Sequence, residues 1–366
     1  MKISLTCIII LTIVASTISA LISYPGFSST IPYYIGYSDI NIFTQKAIDP
    51  TFPYIGKDIE YPVITGVFIH TMGLFGNNFY YITSSVFLTL FAVITSIFLY
   101  KIVETLKLDK KKLIYFYILT PTFLFFTIYN WDIIAVMFVS MSFYFFIKEK
   151  PVKSSVFLAL AVASKLYPAV FLIPFLFKTK REKRSKFLVV FVLVFLFVNS
   201  YFMLSNFNGW LFTYNFHNTR SANYDSIFGV IQYFIPSISS SFVNIVSLAL
   251  FGISYILLVI LRRKRDIFEL CFMSILLFLF FNKVFSPQFL LWTLMFFVLI
   301  RFNKKIFYSL EASNFLVFFF ILFWWFAYKD LVEILYIAFL FVIIRHVILF
   351  YMIYKMKDSV IRHKKR

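Results

Sequence analysis

SSVFLALAVASKLYPAVFLIPFLF, Ser154 to Phe177, is the stretch on which the topology turns. Its length and apolarity fit one membrane crossing, since an α-helix needs about 20 apolar residues to span a bilayer core. Its flanks argue otherwise. Lys148–Lys153 precede it and Lys178–Lys186 follow it, and basic residues in short loops stay on the cytoplasmic side. A single crossing would push one of these groups outside. Lys165, Tyr167 and Pro168 lie at the middle, where proline breaks the helix and turns the residue before it away from helical geometry. The stretch is therefore expected to form a re-entrant pair of half-helices that enters and leaves by the cytoplasmic face. Non-helical backbone at that depth has to be covered by protein or line a cavity.

The same rule orders the rest of the chain. Lys2, Lys101–Lys112, Arg262–Arg265, Arg301–Lys305 and Lys355–Arg366 join the two groups above as cytoplasmic positions. Lys46, Lys57, Arg220, Lys283 and Lys329 are left on the opposite side, and Lys165 and Arg345 fall inside apolar segments. Ten crossings satisfy this: Ile3–Ser23, Phe79–Tyr100, Leu113–Tyr129, Ile133–Ile147, Phe187–Ser205, Phe242–Leu261, Ile267–Phe281, Phe289–Ile300, Ser313–Tyr328 and Leu331–Tyr354. Tyr61 to Gly76 (YPVITGVFIHTMGLFG) would invert the basic groups if it spanned, so it is expected to be an interfacial helix on the outer face. Both termini are then cytoplasmic, and the first segment, led by Lys2, is expected to stay as a signal-anchor helix.

Composition agrees. The 366 residues are 61% hydrophobic and 14% charged, against roughly 45–50% apolar and about 25% charged in soluble domains. The fold expected is all-α and polytopic, a single integral membrane domain over 1–366. The formal net charge of +19 follows from topology, so no nucleic-acid partner is implied. Cys7 and Cys271 both lie in apolar segments and imply no disulfide framework. The longest loop, Tyr24 to Glu60, is too short for an independent catalytic fold.

Polar residues collect on the outer side. Ile35 to Pro62, IGYSDINIFTQKAIDPTFPYIGKDIEYP, holds Asp39, Asp49, Asp58 and Glu60. A tight turn carries Tyr129-Asn130-Trp131-Asp132. A polar loop runs from Asn206 to Ser226, and Asn282 to Gln288 contributes Lys283. A carboxylate base with a cationic anion-binder suits attack of a hydroxyl on a sugar whose leaving group is a phosphate. Nucleotide-sugars are cytoplasmic, and the chain has no P-loop, no Asp-x-Asp motif and no nucleotide-binding domain. An outward-facing transferase would need a donor already in the membrane, and a polyprenyl-phosphate sugar fits.

Gly36-Tyr37-Ser38-Asp39-Ile40, Glu60-Tyr61-Pro62, Asn130-Trp131-Asp132-Ile133 and Ser164-Lys165-Leu166-Tyr167-Pro168-Ala169 carry a resemblance. So do Phe216-His217 with Arg220, Asp225-Ser226, Lys283 to Gln288 and Leu291-Trp292. In order and spacing they resemble the GT-C class of glycosyltransferases, and within it the bacterial and archaeal polyprenol-phosphate-mannose-dependent mannosyltransferases. The likeness runs over about residues 1–300, and the remaining spans and basic tail, 301–366, match only as hydrophobic helices. The chain departs from the pattern at Val63, where relatives often carry a second proline, and at Asn223-Tyr224-Asp225-Ser226, where they tend to carry Gln-x-Glu-Ser.

The resemblance implies an inverting hexosyltransferase of the plasma membrane that takes mannose from a β-linked polyprenyl phosphate. The acceptor is a glycan, glycolipid or glycoprotein outside, and no cofactor or metal is implied. Asp39 stands at the family's base position. Asp58, Glu60, Tyr61, Asp132 and Gln288 are candidates for a second acid or for acceptor binding, with a plain helix-start role open for Glu60. Arg220, His217, Lys283 and Lys165 are candidates for the lipid phosphate. Arginine offers phosphate a two-pronged fork and lysine a point charge, although Lys283 equally suits snorkelling to headgroups. A charge at the depth of Lys165 costs about 2.5–3.5 kcal/mol, so it needs a partner, a cavity or a phosphate. Arg345 is expected to snorkel toward the cytoplasmic end of its helix. A transporter or flippase of lipid-linked sugars is the alternative, favoured by the broken segment at Lys165 and Pro168 but not by any repeat of halves.

Overall fold

The computed structural model describes residues 3–25 and 36–356. Lys2, part of the first loop and the basic tail beyond Met356 lie outside the described residues. The chain forms two compact units, Met1–Ala169 with Thr179–Thr219, and Val170–Lys178 with Arg220–Arg366. The described residues are mostly helical, with no strand among them beyond one isolated bridge between Pro53 and Lys57.

In the first unit α1 (Leu5–Ile22) is followed by α2 (Asp39–Ile42), α3 (Thr44–Ile48), α4 (Val63–Gly73) and α5 (Asn77–Thr105). Small polar side chains let α1 approach its neighbours closely. Thr12 donates to Ser96 of α5 (2.9 Å), and Ser19 accepts from the Ile128 amide (3.0 Å). Opposite them Ile10, Ile13 and Val14 are exposed, as lipid-facing residues are. α4 has 11 residues, about 16 Å of helix, too short to cross. Seven of those residues are buried, so α4 packs against the unit.

The expected crossing Leu113–Tyr129 is not one helix. α6 (Lys111–Leu113) runs into a widened π turn at Ile114–Ile118, and α7 (Pro121–Phe126) restarts after it. Thr120 caps that restart, accepting from the Phe123 amide at 3.1 Å, with Pro121 at the first helical position. Proline is tolerated there because its missing N–H would have no helical partner.

α8 (Asp132–Ile147) and α9 (Pro151–Ser164) form an antiparallel hairpin. At its closed end Ser142 donates to the Ser154 carbonyl (2.8 Å), and at its open end Lys165 meets Asp132 (2.6 Å). A 3₁₀ turn, Tyr167–Phe171, follows, during which the chain passes into the second unit at Val170 for α10 (Leu172–Lys178), before α11 (Arg181–Ser205) returns to the first. Ser155 donates to the Phe187 carbonyl at 2.5 Å, so α9 and α11 start at one level. The break expected at Lys165 is present, and it lies at the level of Asp132. Cysteines at Lys153 and Lys180 should accordingly both be modified by an impermeant thiol reagent from one face of the membrane only. Labelling from opposite faces would make Pro151–Lys178 a single crossing.

α12 (Phe207–Thr219) occupies most of the stretch expected to be a polar loop. Its Gly209 lies against the backbone of Tyr54, where a Cβ would collide with the Tyr54 carbonyl oxygen.

The second unit continues with α13 (Ile227–Phe234), α14 (Ser240–Arg262), α15 (Ile267–Phe281), α16 (Leu291–Leu299, led by a 3₁₀ turn), α17 (Lys304–Ala327) and α18 (Val332–Met356). Val230, Val317, Trp324, Leu335, Phe339 and Val342 build a core there. Among described residues six helices, α1, α5, α11, α14, α17 and α18, are long and apolar enough to span a membrane. α8, α15 and α16 are shorter, at 16, 15 and 9 residues.

Candidate functional site

Three separate pieces of the first unit place their polar side chains together. The first is α2. Ser38 caps it, accepting from the Asn41 amide (3.3 Å), and the Asn41 side chain ties it to the Ser23 carbonyl at the end of α1 (2.8 Å). The Asp39 N–H donates to the Tyr129 carbonyl (3.0 Å). Tyr37 donates to the Asp39 carboxylate (3.4 Å), with its ring 5.7 Å from that of Tyr129.

The second piece is the turn before α8. Asn130 Oδ1 accepts from the Asp132 N–H at 2.9 Å, the local turn that asparagine favours. Asp132 itself is fully buried. The third piece is the break after α9. Lys165 is extended (φ −155°, ψ 149°) while its N–H still closes the helix on Ala161. Its Nζ lies 2.6 Å from Asp132 Oδ1 and 4.8 Å from the Tyr61 ring centre. Thr65 of α4 donates to the Ser164 carbonyl (2.7 Å), fixing the break against the start of α4. A buried charge needs a paired counter-charge, and Asp132 is the partner that Lys165 requires.

Tyr61, Trp131 and Phe43 wall this group edge to face, with centroids 5.0–5.5 Å apart. Tyr61 is held by its backbone: Tyr54 donates to its carbonyl (2.6 Å), and Thr213 of α12 bonds the carbonyls of Ile59 (2.8 Å) and Tyr61 (3.2 Å). Gly66 makes room for the Tyr54 hydroxyl, since a Cβ there would land on it. His217 lies with Nε2 3.0 Å from the Glu60 carbonyl, so this nitrogen donates to the loop. Glu60 pairs with Lys46 at 3.1 Å and is half-buried, whereas Asp58 is exposed.

The electrostatics single out Asp39. Burial pushes its carboxyl up from 3.8 to about 6; the Lys165 ammonium pulls against this, Asp132 adds to it, and hydrogen bonds from Tyr37 and Asn130 oppose it. Desolvation disfavours the ionised form, and a second carboxylate nearby does the same. Tyr61 is held well above the ordinary phenol value, chiefly by burial and then by Asp39, so its hydroxyl stays neutral. The group thus offers a carboxylate basic enough to accept a proton near neutrality, beside an ammonium and an aromatic wall.

Arg220, Lys283 and Gln288 belong to the second unit. Lys283 is buried and donates to the Arg220 carbonyl (2.7 Å) and to Asn244 Oδ1 (2.5 Å). Arg220 donates to Asn223 Oδ1 at 3.0 Å. Burial first, and then the neighbouring Arg220 charge, lowers Lys283 to about 8, which leaves it mostly charged at neutral pH. Gln288 is buried in the 3₁₀ turn before α16. The structure therefore joins Asp39, Asp132, Lys165 and Tyr61 in one unit and Arg220 with Lys283 in the other.

Arg345 corrects the expectation of snorkelling. It is fully buried on α18 and donates to Asn314 Oδ1 (2.7 Å), to the Phe285 carbonyl (2.9 Å) and to the Asp225 carbonyl. Its guanidinium carbon lies 3.7 Å from the Phe285 ring centre. An ionisable residue within a span is expected to face protein and a partner, and that signal was present in the sequence.

The model of glycosyltransferase family 87 matches residues 60–287. The match takes in Tyr61, Asp132, Lys165, His217, Arg220 and Lys283; Gln288 falls one residue past its end, and Asp39 lies well before its start. No match is found among curated proteins. The family match favours sugar transfer over the transport alternative. With most of its length matched and its apolar helices numerous enough for a multi-pass membrane protein, the chain belongs to glycosyltransferase family 87.

Proposed function

We propose that this glycosyltransferase moves a hexose, mannose, from a polyprenyl-phosphate donor to a hydroxyl of an extracytoplasmic glycan, glycolipid or glycoprotein, with inversion. The observation that carries the reading is the meeting of Asp39 with the Lys165–Asp132 pair under the Tyr61–Trp131 wall. Asp39 takes the proton of the acceptor hydroxyl as its oxygen attacks the anomeric carbon. The bond from that carbon to the phosphate oxygen breaks on the opposite face, and the phosphate carries away the bonding pair. Developing charge on the phosphate needs fixed cations, and the sequence motifs give that role to Lys165, Arg220 and Lys283. The donor is a substrate, and no cofactor or metal enters the scheme. His217, bonded to the Glu60 carbonyl, positions the loop that carries Tyr61.

The hairpin supports an outward-facing site. Its closed end carries Lys148, Lys150 and Lys153 and its open end carries Asp132 and Lys165. A basic turn held in the cytoplasm favours a site at the other face, and the reading takes the membrane to be the plasma membrane, with both termini inside. Purified protein given polyprenyl-phosphate mannose and a sugar acceptor should release polyprenyl phosphate and form an α-mannoside. Transfer from a nucleotide-sugar in place of the lipid donor would overturn the reading.

Arg220→Ala should raise the donor KM about ten- to a hundredfold and leave the acceptor KM near its original value. Charge-assisted hydrogen bonds to phosphate are worth roughly 1.5–3 kcal/mol. Arg220→Lys should recover part of the loss, because the fork is gone while the charge remains. An unchanged donor KM in the alanine variant would remove Arg220 from the site.

A further inference from the structure

Arg345 lies beyond the residues that match the family, on the last described helix. Its surroundings are those of a tie between loops. Asn223 donates its N–H to the Lys283 carbonyl (3.0 Å), and the Ser226 hydroxyl sits between the carbonyls of Asn223 (2.8 Å) and Lys283 (2.7 Å). Lys283 returns its ammonium to the Arg220 carbonyl (2.7 Å). The segment from Arg220 to Ser226 and the segment from Asn282 to Ser286 are thus zipped together.

Arg345 grips both. One guanidinium nitrogen donates to the carbonyls of Asp225 and Phe285, one from each segment, and another donates to Asn314 on α17. Asn314 uses its amide to hold the Pro287 carbonyl at 2.9 Å. Buried backbone carbonyls at the ends of segments need donors, and a planar guanidinium serves several at fixed angles. The Asp225 carboxyl is buried in the same place, where both Arg345 and Arg220 act on it.

We infer that Arg345, with Asn314, is a positioning residue that sets Arg220 and Lys283 for the phosphate of the lipid donor, making α17 and α18 part of the donor site. This rests on the assignment of Arg220 and Lys283 to the donor given above. Arg345 is fully buried and acts through the two segments it joins. Misplacement of a binding group by about 1 Å costs as much as a hundredfold.

The test compares three variants in detergent, each with donor KM, acceptor KM, kcat and thermal unfolding measured on purified protein. Arg345→Lys keeps a charge but serves fewer carbonyls. It should raise the donor KM about tenfold or more while the acceptor KM stays within about twofold. Asn314→Leu leaves the guanidinium in place, removes one of its acceptors, and should shift the donor KM in the same direction by less. If Arg345→Lys fails to assemble, Asn314→Leu decides. Donor and acceptor KM rising together, or neither rising, overturns the inference and leaves Arg345 as a packing residue. Arg220→Ala separates the two failures. If it raises the donor KM while Arg345→Lys and Asn314→Leu do not, only the tie is wrong. If Arg220→Ala leaves the donor KM unchanged, the donor assignment itself has failed.

Discussion

Asp39→Asn should insert, fold and bind the lipid donor, yet lose about a hundredfold to ten-thousandfold of its transfer rate, the range that general-base catalysis supplies. The amide keeps the shape and one acceptor oxygen but cannot take the acceptor's proton. In the wild type kcat/KM should fall as pH drops through about 6, where burial places the Asp39 carboxyl. The variant should have lost that acidic limb. The sign of the stability effect is opposite. A buried carboxyl with a raised value holds its proton in the native state between its unfolded value near 3.8 and about 6, so native stability falls as pH rises through that window. Asp39→Asn should therefore melt higher than the wild type at neutral pH. Glu60→Gln is the informative control, and Asp58→Asn, at an exposed position, should cost least. Loss of transfer in Glu60→Gln with Asp39→Asn still active would move the base to Glu60.

Lys165→Met is expected to lower stability sharply as well as to end transfer. It strips the ammonium from Asp132, which is fully buried, while the Lys165 side chain itself is only 15% exposed. Removing one member of a buried pair costs about 3–5 kcal/mol because the other charge is left behind. The double variant Lys165→Met with Asp132→Leu should regain most of that stability, since apolar replacement of a whole buried pair is often neutral or better. Transfer should stay lost, because the cation is gone. Recovery of transfer in the double variant would make the pair a structural bolt.

What the sequence made legible depended on how local the determinants were. Ile267–Phe281 is bounded as expected, because Asp266 caps the helix from its own neighbourhood, accepting from the Phe268 amide at 2.8 Å. The break at Lys165 was legible from Pro168 and the basic flanks. Leu113–Tyr129 was not, because apolar composition alone does not show the π turn at Ile114–Ile118. α12 was hidden by its asparagines and threonines, which look like loop until Thr213 is seen bonding the carbonyls of Ile59 and Tyr61.

The site was half legible. Asp39, Asp132, Lys165 and Tyr61 could each be named, but the partnership of Lys165 with Asp132 is a contact between distant residues. One clue was present: a 16-residue helix from Asp132 and a 14-residue helix ending before Lys165, joined by a short turn, fold back to bring those two residues level. Arg345 was misjudged because its distance along the helix was counted and the side it faces was not.

The hairpin has one more property. α8 begins at Asp132 and α9 ends at Ser164 with Lys165 as its C-cap, so the carboxylate occupies the positive pole of one peptide macrodipole and the ammonium the negative pole of the next. Each such placement is worth about 0.3–1 kcal/mol, and up to about 2 where partly buried. The scaffold is therefore polarised, and the pair has a fixed sense. Exchanging the two charges, Asp132→Lys with Lys165→Asp, would keep the ion pair on paper and set both ions against their helices. The direction of the field across the site is written in the backbone, before any side chain is added.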